Sequence, residues 1–385
     1  MPCILLQNIV VIIGVNTRLL IQGKLEGIGY FQEQLLMRLA RNHPKDTFVF
    51  FFDRKYDKSF IFSDNIIPVV LPLQARHPIL WKIYFDYLLS IYCKKYHIDV
   101  FFSPENYIPQ IKNIPIICTI HDLNFYHNDK YIGNNLHQKY FMHYFPMNAH
   151  KSDRIITVSE YSKKDIIESF HIEENKIDVV YNAANRVYTQ QNEQKKELTR
   201  IKYTGGKPYF YFVGSLHKRK NLVNLFLAFD MFKNKTKSDV QLLIIGGKKW
   251  WKGEIENTYN ALIHKQDVLL LGRKEAKEVA EIASASIGLV FVSLFEGFGI
   301  PIVEAFAAGV PVITSNVTSL PEIAGDAALI VNPYNIESIS EAMQKLYEDK
   351  DLRNTLIEKG FNRNKMFSWD KSAEKLWKII ESTAK

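Results

Sequence analysis

The chain has 385 residues, 47% hydrophobic and 23% charged, a composition that excludes an intrinsically disordered protein. Its length predicts two domains, because a single hydrophobic core rarely grows beyond about 250–300 residues. The net charge is +8 (49 basic and 41 acidic residues), and residues from Asn185 onward carry 29 − 23 = +6 of it. This excess favours an anionic ligand or surface in the second half, with a solvated lysine-rich surface as the alternative.

Three cysteines, Cys3, Cys93 and Cys118, are far apart in the sequence. They predict neither a disulfide framework nor a zinc site, so we expect a reducing, cytoplasmic environment. No apolar run reaches the roughly 18–20 residues that a membrane span needs. The first apolar residues are expected to form a buried strand rather than a signal peptide.

Short β-branched or aromatic runs alternate with amphipathic stretches, which predicts an α/β fold with parallel sheets. The predicted strands of the first half are Val10–Val15, Thr47–Phe52, Val100–Ser103, Ile116–Ile120, Arg154–Val158 and Ile177–Val180. The predicted helices lie near Tyr30–Arg41, Pro78–Tyr96 and Ser162–Phe170, the last capped by Ser159.

A second series of strands and helices follows a polar segment that ends in Gly205-Gly206-Lys207-Pro208. Its predicted strands are Tyr209–Val213, Val240–Ile245, Val268–Leu270, Leu289–Val292, Val312–Thr314 and Ala328–Val331. Its predicted helices lie near Leu222–Phe232, Lys277–Ser284, Pro301–Ala308, Ile336–Tyr347 and Asp351–Phe361. We therefore predict two doubly wound domains, residues 1–187 and 208–367, joined by a linker of residues 188–207.

The densest motif runs from Glu296 through Gly-Phe-Gly to Pro301 and Glu304. A hydrophobic strand enters this turn, and proline suits the first turn of the helix that follows. The turn amides and the helix dipole favour an anion, while two carboxylates suit hydroxyl groups, so the motif points to a nucleotide sugar. An ordinary strand–turn–helix is the alternative.

Cations follow two other predicted strands. Lys218-Arg219-Lys220 stand after Gly214 and ahead of a helix, where the helix dipole disfavours them unless an anion such as diphosphate is bound. Lys248 and Lys249 similarly follow Gly246-Gly247. Solvated basic turns are the alternative.

In the first half, Gly27-Ile-Gly29 opens a helix but lacks the third glycine of the dinucleotide fingerprint. His121 and Asp122 follow a predicted buried strand, where the histidine is either structural or a partner for a sugar hydroxyl. The sequence contains no G-x-S-x-G, P-loop or H-E-x-x-H motif and no RNA-binding signature, so nucleic acid is not an expected partner.

In sequence order, GIGYF, TIHDL, DRIITVSEYSKKDI, VGSLHKRKNL and EGFGIPIVEAFAAGVPVITSNVTSLPEIAGDAALIVNP resemble the retaining glycosyltransferases of family 4. The variant of the pattern is most similar to mannosyltransferase-like bacterial members that build O-antigen or capsular polysaccharide. The resemblance implies the GT-B fold, with two Rossmann-like domains facing a cleft and a C-terminal helix, residues 368–385, that returns to the first domain.

Carried over to this sequence, the resemblance assigns roles to named residues. Glu296 would hold sugar hydroxyls, Glu304 the ribose, and Lys220 with Arg219 the diphosphate leaving group, while His121 would contact the sugar. The catalytic residues would be His121, Glu296 and Lys220. The donor-binding set would be Gly27, Gly29, Ser215, Arg219, Lys220, Gly246, Gly272, Arg273, Glu296, Phe298, Gly299, Ile300 and Glu304.

The resemblance predicts transfer of a hexose, with mannose favoured, from a GDP- or UDP-linked donor to a saccharide or lipid-linked acceptor. Neither a metal nor another cofactor is expected. A nucleotide-sugar hydrolase or epimerase, or a non-catalytic binding protein of the same fold, is the alternative. Peripheral contact with the inner face of the cytoplasmic membrane would involve residues 81–87 (WKIYFDY), for which a buried helix is the alternative.

Overall fold

The structure is a computed structural model that describes residues 10–25, 27–75, 77–127 and 136–384. The chain divides into two compact units, one comprising the residues up to Tyr181 together with those from Trp369 onward, and the other Asn182–Ser368.

The described residues of the first unit form a seven-stranded parallel sheet in the order β3-β2-β1-β4-β5-β6-β7. The strands are β1 (Ile12–Asn16), β2 (Thr47–Phe52), β3 (Ile66–Val70), β4 (Val100–Ser103), β5 (Ile116–Thr119), β6 (Arg154–Thr157) and β7 (Ile177–Val179). β2 reads Thr-Phe-Val-Phe-Phe-Phe and is buried along nearly its whole length, as expected for a parallel strand covered on both faces.

Helices cover this sheet. They are α1 (Gly27–Asn42), α2 (Pro78–Lys82), α3 (Leu89–Lys95), α4 (Asn124–His127), α5 (Leu136–Lys151) and α6 (Glu160–Phe170), with a π-helical segment, Ile83–Leu88, between α2 and α3. The Ser159 cap of α6 is confirmed, since its Oγ accepts the Ser162 N–H at 3.0 Å. The first helix begins at Gly27, earlier than predicted.

The C-terminal helix α15 (Trp369–Ala384) packs against α1, which confirms its expected return to the first unit. Trp369 is buried against the Tyr30 ring, with the centroids 5.7 Å apart. Arg38 Nε lies 2.5 Å from Asp370 Oδ1, and Ser372 Oγ donates to the Tyr181 carbonyl at 2.7 Å.

The second unit, every residue of which is described, contains a six-stranded parallel sheet in the order β10-β9-β8-β11-β12-β13. The strands are β8 (Tyr209–Val213), β9 (Gln241–Ile245), β10 (Val268–Gly272), β11 (Gly288–Phe291), β12 (Val312–Ser315) and β13 (Leu329–Val331). The helices are α7 (Glu193–Thr204), α8 (Leu222–Thr236), α9 (Glu254–Ala261), α10 (Ala276–Ser284), α11 (Ile300–Ala307), α12 (Leu320–Ala324), α13 (Ile336–Glu348) and α14 (Lys350–Asn364).

The expected linker, residues 188–207, is instead largely helical and belongs to the second unit. Asn192 caps α7 by accepting the Lys195 N–H at 2.9 Å, and Gly205 ends the helix with a φ of 63°. The polar sequence reflects an exposed helix face, and α7 packs against α10.

Within the described ranges, none of the helices is both long and apolar enough to cross a membrane.

Candidate functional site

The strongest predicted site residues of the second unit meet at the carboxyl ends of β8 and β11, which are neighbours in the sheet. Lys218–Lys220 form a 3₁₀ turn after β8, and Glu296 follows β11. Glu296 Oε2 lies 2.8 Å from Arg219 Nη1, and Glu296 Oε1 accepts a hydrogen bond from Lys220 Nζ. Residues 76 positions apart in sequence thus form one cation–carboxylate cluster.

This cluster is buried, since Glu296 and Lys220 are each 7% exposed. Burial alone would raise the pKa of Glu296, but the charges and hydrogen bonds of Lys220 and Arg219 outweigh it and lower the pKa to about 2. Lys220 Nζ also lies 4.8 Å from the centroid of the Phe291 ring. Glu296 is therefore a carboxylate shared by two cations, a pairing that the sequence alone did not indicate.

The loop that follows β12 forms hydrogen bonds with Glu296 and with the turn after it. Ser319 Oγ donates to the carbonyl oxygens of Glu296 (2.9 Å) and Phe298 (3.2 Å), and the Glu296 N–H donates to Thr318 Oγ1 at 3.3 Å. Thr318 has a φ of 57°, a left-handed conformation that is strained for a β-branched residue. Both residues lie within the long motif that carries the family resemblance, but the sequence alone assigned neither of them a role.

Helix α11 begins directly after this turn. Gly299 has a φ of 102°, and a side chain there would bring Cβ to 2.8 Å from Leu320 Cδ2, so glycine is required. Ile300 is the first helical residue, which places its N–H among the unpaired amides of the helix N-terminus. The buried Phe298 ring packs edge-on against Phe367, with the centroids 5.5 Å apart.

Glu304, the fifth residue of α11, has a different environment from Glu296. Loss of contact with water raises its pKa to about 8, and a hydrogen bond from the Tyr188 hydroxyl opposes the rise only in part. A substantial fraction of Glu304 is therefore protonated at neutral pH. Tyr188 lies in the segment that was expected to be a linker, so its role was not predicted.

Three predicted glycine-rich loops adjoin one another at this edge. The Gly214 N–H donates to the Ile245 carbonyl at 3.0 Å, and the Gly246 N–H donates to the Gly272 carbonyl at 2.9 Å. A Cβ on Gly246 would lie 2.0 Å from the Gly214 carbonyl oxygen, so only glycine fits. Gly246 is thus required for loop packing, and Ser215 and Arg273 are exposed beside these loops.

The predicted residues of the first unit also follow carboxyl ends of strands. The ring of His121, just after β5, packs edge-on against Phe31 at 4.9 Å, and Nε2 lies 2.9 Å from the Pro104 carbonyl oxygen. Because a carbonyl only accepts, Nε2 carries the proton and Nδ1 is the acceptor. Burial lowers the pKa of His121, so the ring is neutral at pH 7.

The two glycines of α1 differ in their surroundings. Gly27 is exposed, and a Cβ there would meet nothing within 4 Å. Gly29 is buried, and a Cβ would lie 3.0 Å from the Leu19 carbonyl oxygen. Gly29 therefore permits close packing of the helix on the loop after β1.

The segment considered for membrane contact, residues 81–87, is only partly exposed. Trp81, Tyr84 and Phe85 are buried in the core of the first unit. These three aromatic rings are not available to a membrane. Ile83 and Tyr87 are exposed, by 41% and 60%.

Comparisons with known proteins agree with this architecture. The model described as Glycosyltransferase Family 4 matches residues 27–186, and that described as Glycosyl transferases group 1 matches residues 190–363. O-antigen chain mannosyltransferase B of Escherichia coli is 26% identical over 371 residues, covering 91% of this chain and 94% of that protein. The uncharacterized glycosyltransferase MJ1178 of Methanocaldococcus jannaschii is 33% identical over 275 residues, covering 70% of this chain and 69% of that protein.

A solved structure supports the same fold. The crystal structure of Anabaena HepE in complex with UDP-glucose matches with a TM-score of 0.72 at 15% identity, covering 96% of this chain and 99% of that chain. The two Rossmann-like units and the family models that span them show that the chain is a glycosyltransferase of family 4 with the GT-B fold.

Proposed function

We propose that the chain is a retaining hexosyltransferase that transfers mannose from a nucleotide-diphosphate sugar to a growing saccharide or lipid-linked acceptor of a cell-surface polysaccharide. The observation that carries the proposal is the cluster of Arg219, Lys220 and Glu296 beside the N-terminus of α11. Two fixed cations and helix amides suit a diphosphate, and a neighbouring carboxylate suits sugar hydroxyls. Mannose is favoured by the similarity to an O-antigen mannosyltransferase.

Transfer requires that the bond between the anomeric carbon and the diphosphate break as the acceptor oxygen attacks. Arg219 and Lys220 would stabilise the negative charge that develops on the departing diphosphate, an electrostatic effect worth several kcal/mol of barrier. A leaving phosphate oxygen would take the acceptor proton on the same face of the sugar. Because the acceptor oxygen attacks on the face that the diphosphate leaves, the anomeric configuration is retained, and no protein nucleophile takes part in this scheme.

A donor panel tests the proposal. Purified protein with GDP-mannose, UDP-glucose or UDP-N-acetylglucosamine is assayed for thermal stabilisation and for transfer to saccharide acceptors, with the anomeric configuration read by NMR. Stabilisation and α-linked product from GDP-mannose support the proposal. An inverted product, or equal use of all three donors, contradicts it.

The alternative activities give different products. A hydrolase or an epimerase would release free sugar or an epimerised nucleotide sugar when no acceptor is present. A binding protein would be stabilised by the donor but yield no product with any acceptor.

Charge neutralisation by Arg219 and Lys220 supports a reaction that proceeds without a metal ion. The proposal predicts full activity in excess EDTA. Loss of activity in EDTA, restored by Mg²⁺ or Mn²⁺, would contradict metal independence and leave the transferase assignment intact.

We further propose that the first unit contacts the cytoplasmic face of the membrane through α2, the π-helical segment and α3. Ile83, Tyr87 and Ile91 lie four residues apart and are 41%, 60% and 60% exposed. Exposed lysines flank this apolar row: Lys82, Lys94 and Lys95. Apolar side chains beside lysines suit the headgroup region of an anionic bilayer.

Liposome co-sedimentation tests the surface. The wild type should bind vesicles containing phosphatidylglycerol more tightly than pure phosphatidylcholine vesicles, and salt should weaken this binding. Replacing Ile83, Tyr87 and Ile91 by serine should abolish it while transfer to a soluble acceptor persists. Binding by this variant at the wild-type level would assign the contact elsewhere.

A further inference from the structure

A cavity of about 450 Å³ lies in the second unit at the edge of the sheet opposite the cation–carboxylate cluster. Its lining includes Pro208, Ile287 and Pro311, which precede β8, β11 and β12. All strands of this sheet are parallel, so these residues mark the amino ends, whereas Lys220 and Glu296 follow carboxyl ends. The cavity is therefore separate from the donor residues.

The lining is strongly basic. It contains Lys196, Arg200, Lys350 and Arg353 with Glu193 as the one carboxylate among the cavity's lining residues. Glu193 is already neutralised by Lys196 at 2.8 Å. Across the described parts of the chain, no ion pair is formed by the other three cations. The cavity thus holds an uncompensated positive charge.

The side chains of Arg353 and Arg200 contact backbone carbonyl oxygens, but several of their N–H groups remain available to a ligand. Nη1 of Arg353 donates to the carbonyl oxygens of Leu346 and Tyr347, the latter at 2.8 Å, and no partner for its Nε or Nη2 is found among the described residues. Nη1 of Arg200 lies 3.5 Å from the Ala285 carbonyl oxygen, at the outer limit of a hydrogen bond. A guanidinium has five N–H donors, so most of these remain for a ligand.

We propose that this cavity binds a small phosphorylated molecule of the size of a hexose phosphate. Guanidinium groups match the geometry of phosphate oxygens, and a recessed site with a net positive charge concentrates anions. The volume lies within the roughly 300–1,000 Å³ range of small-molecule sites. The polar groups Asn354 and Ser286 in the lining suit the hydroxyl groups of a sugar.

Calorimetric titration of the whole chain with mannose 6-phosphate tests the site, with mannose as the unphosphorylated control. The wild type should bind the phosphate ester saturably and mannose not at all. The double variant Arg200→Gln/Lys350→Gln should lose at least tenfold in affinity, because both substitutions remove cavity charge. Arg353 is left intact, since its backbone hydrogen bonds join α13 to α14.

A matched variant, Lys235→Gln/Lys237→Gln, removes the same charge from exposed positions outside the cavity lining and should bind as the wild type does. Arg219→Gln should also bind the ester normally, which separates the cavity from the donor residues. Wild-type affinity in Arg200→Gln/Lys350→Gln, loss of binding in Arg219→Gln, or no saturable binding by the wild type would overturn the proposal. Unchanged circular dichroism in each variant shows that the fold is retained.

Discussion

Arg219 Nη1 lies 2.8 Å from Glu296 Oε2, and the other carboxylate oxygen of Glu296 is bound to Lys220. One buried carboxylate therefore fixes both cations that are proposed to face the diphosphate. A donor sugar that hydrogen-bonds to Glu296 would compete with these two cations for the same oxygens. The carboxylate can thus link sugar recognition to the position of the charges that stabilise the leaving group.

Replacing Glu296 by glutamine should reduce both stability and activity. The substitution removes the carboxylate charge that Arg219 and Lys220 share, and breaking a buried ion pair costs about 3–5 kcal/mol in the free energy of unfolding. We expect kcat to fall at least about 100-fold, as when a preorganised electrostatic group is removed. Urea unfolding and initial rates with saturating donor measure the two effects.

Glu374→Gln is the matched control, since Glu374 forms an exposed ion pair with Lys378. Its effect on the free energy of unfolding should be small, because exposed ion pairs are screened by water and contribute little to stability. If Glu296→Gln were as stable and as active as Glu374→Gln, the cluster would have neither role.

Replacing Gly246 by alanine should disrupt the loops at the carboxyl edge of the second sheet. The new Cβ would lie 2.0 Å from the Gly214 carbonyl oxygen, and both partners of the clash belong to the backbone. We expect a loss of stability of about 1–3 kcal/mol and a raised KM for the donor. A Cβ on Gly247 would meet nothing within 4 Å, so Gly247→Ala should leave both stability and the KM for the donor unchanged. Equal effects of the two substitutions would contradict the predicted backbone clash at Gly246.

The sheets could be predicted from the sequence because their strands are continuous β-branched or aromatic runs. β3 was missed since Pro68 interrupts its pattern, and the structure places it at a sheet edge, where a proline is tolerated. The sequence of helix α7 predicts a linker because the exposed face of the helix makes the segment polar. The cap residues Asn192 and Gly205 are the features of the sequence that indicate where this helix begins and ends.

The candidate site was predictable only in part. The motifs containing Lys220 and Glu296 were found because glycines and charges follow predicted strands. Their direct pairing depends on the adjacency of β8 and β11, which a single sequence does not encode locally. The hydrogen bond from Tyr188 to Glu304 is likewise a tertiary contact.

The raised pKa of Glu304 predicts a specific dependence of stability on pH. The pKa is about 8 in the folded protein against an ordinary 4.5, so the folded state holds this proton more tightly than the unfolded chain does. The resulting stabilisation is fully present below pH 4.5 and is lost as the pH rises toward about 8. Urea unfolding of the wild type and Glu304→Gln across this range isolates the contribution.

The unfolding free energy of the wild type minus that of Glu304→Gln should decrease steadily as the pH rises. Tyr188→Phe should extend the decline to higher pH, because the Tyr188 hydrogen bond lowers the pKa of Glu304. A difference that is flat between pH 4.5 and 8 would show that Glu304 titrates normally.

Thr318 should matter through its hydroxyl rather than its methyl group. Thr318→Ser keeps the oxygen that accepts the Glu296 N–H at 3.3 Å and lessens the strain of a β-branched residue at a φ of 57°. Thr318→Ala removes that acceptor from a part-buried N–H, at a cost of about 0.5–1.5 kcal/mol. We expect the serine variant to match the wild type in stability and donor KM, and the alanine variant to be less stable with a raised KM. Equal behaviour of the two variants would show that the loop after β12 does not position Glu296 through this hydrogen bond.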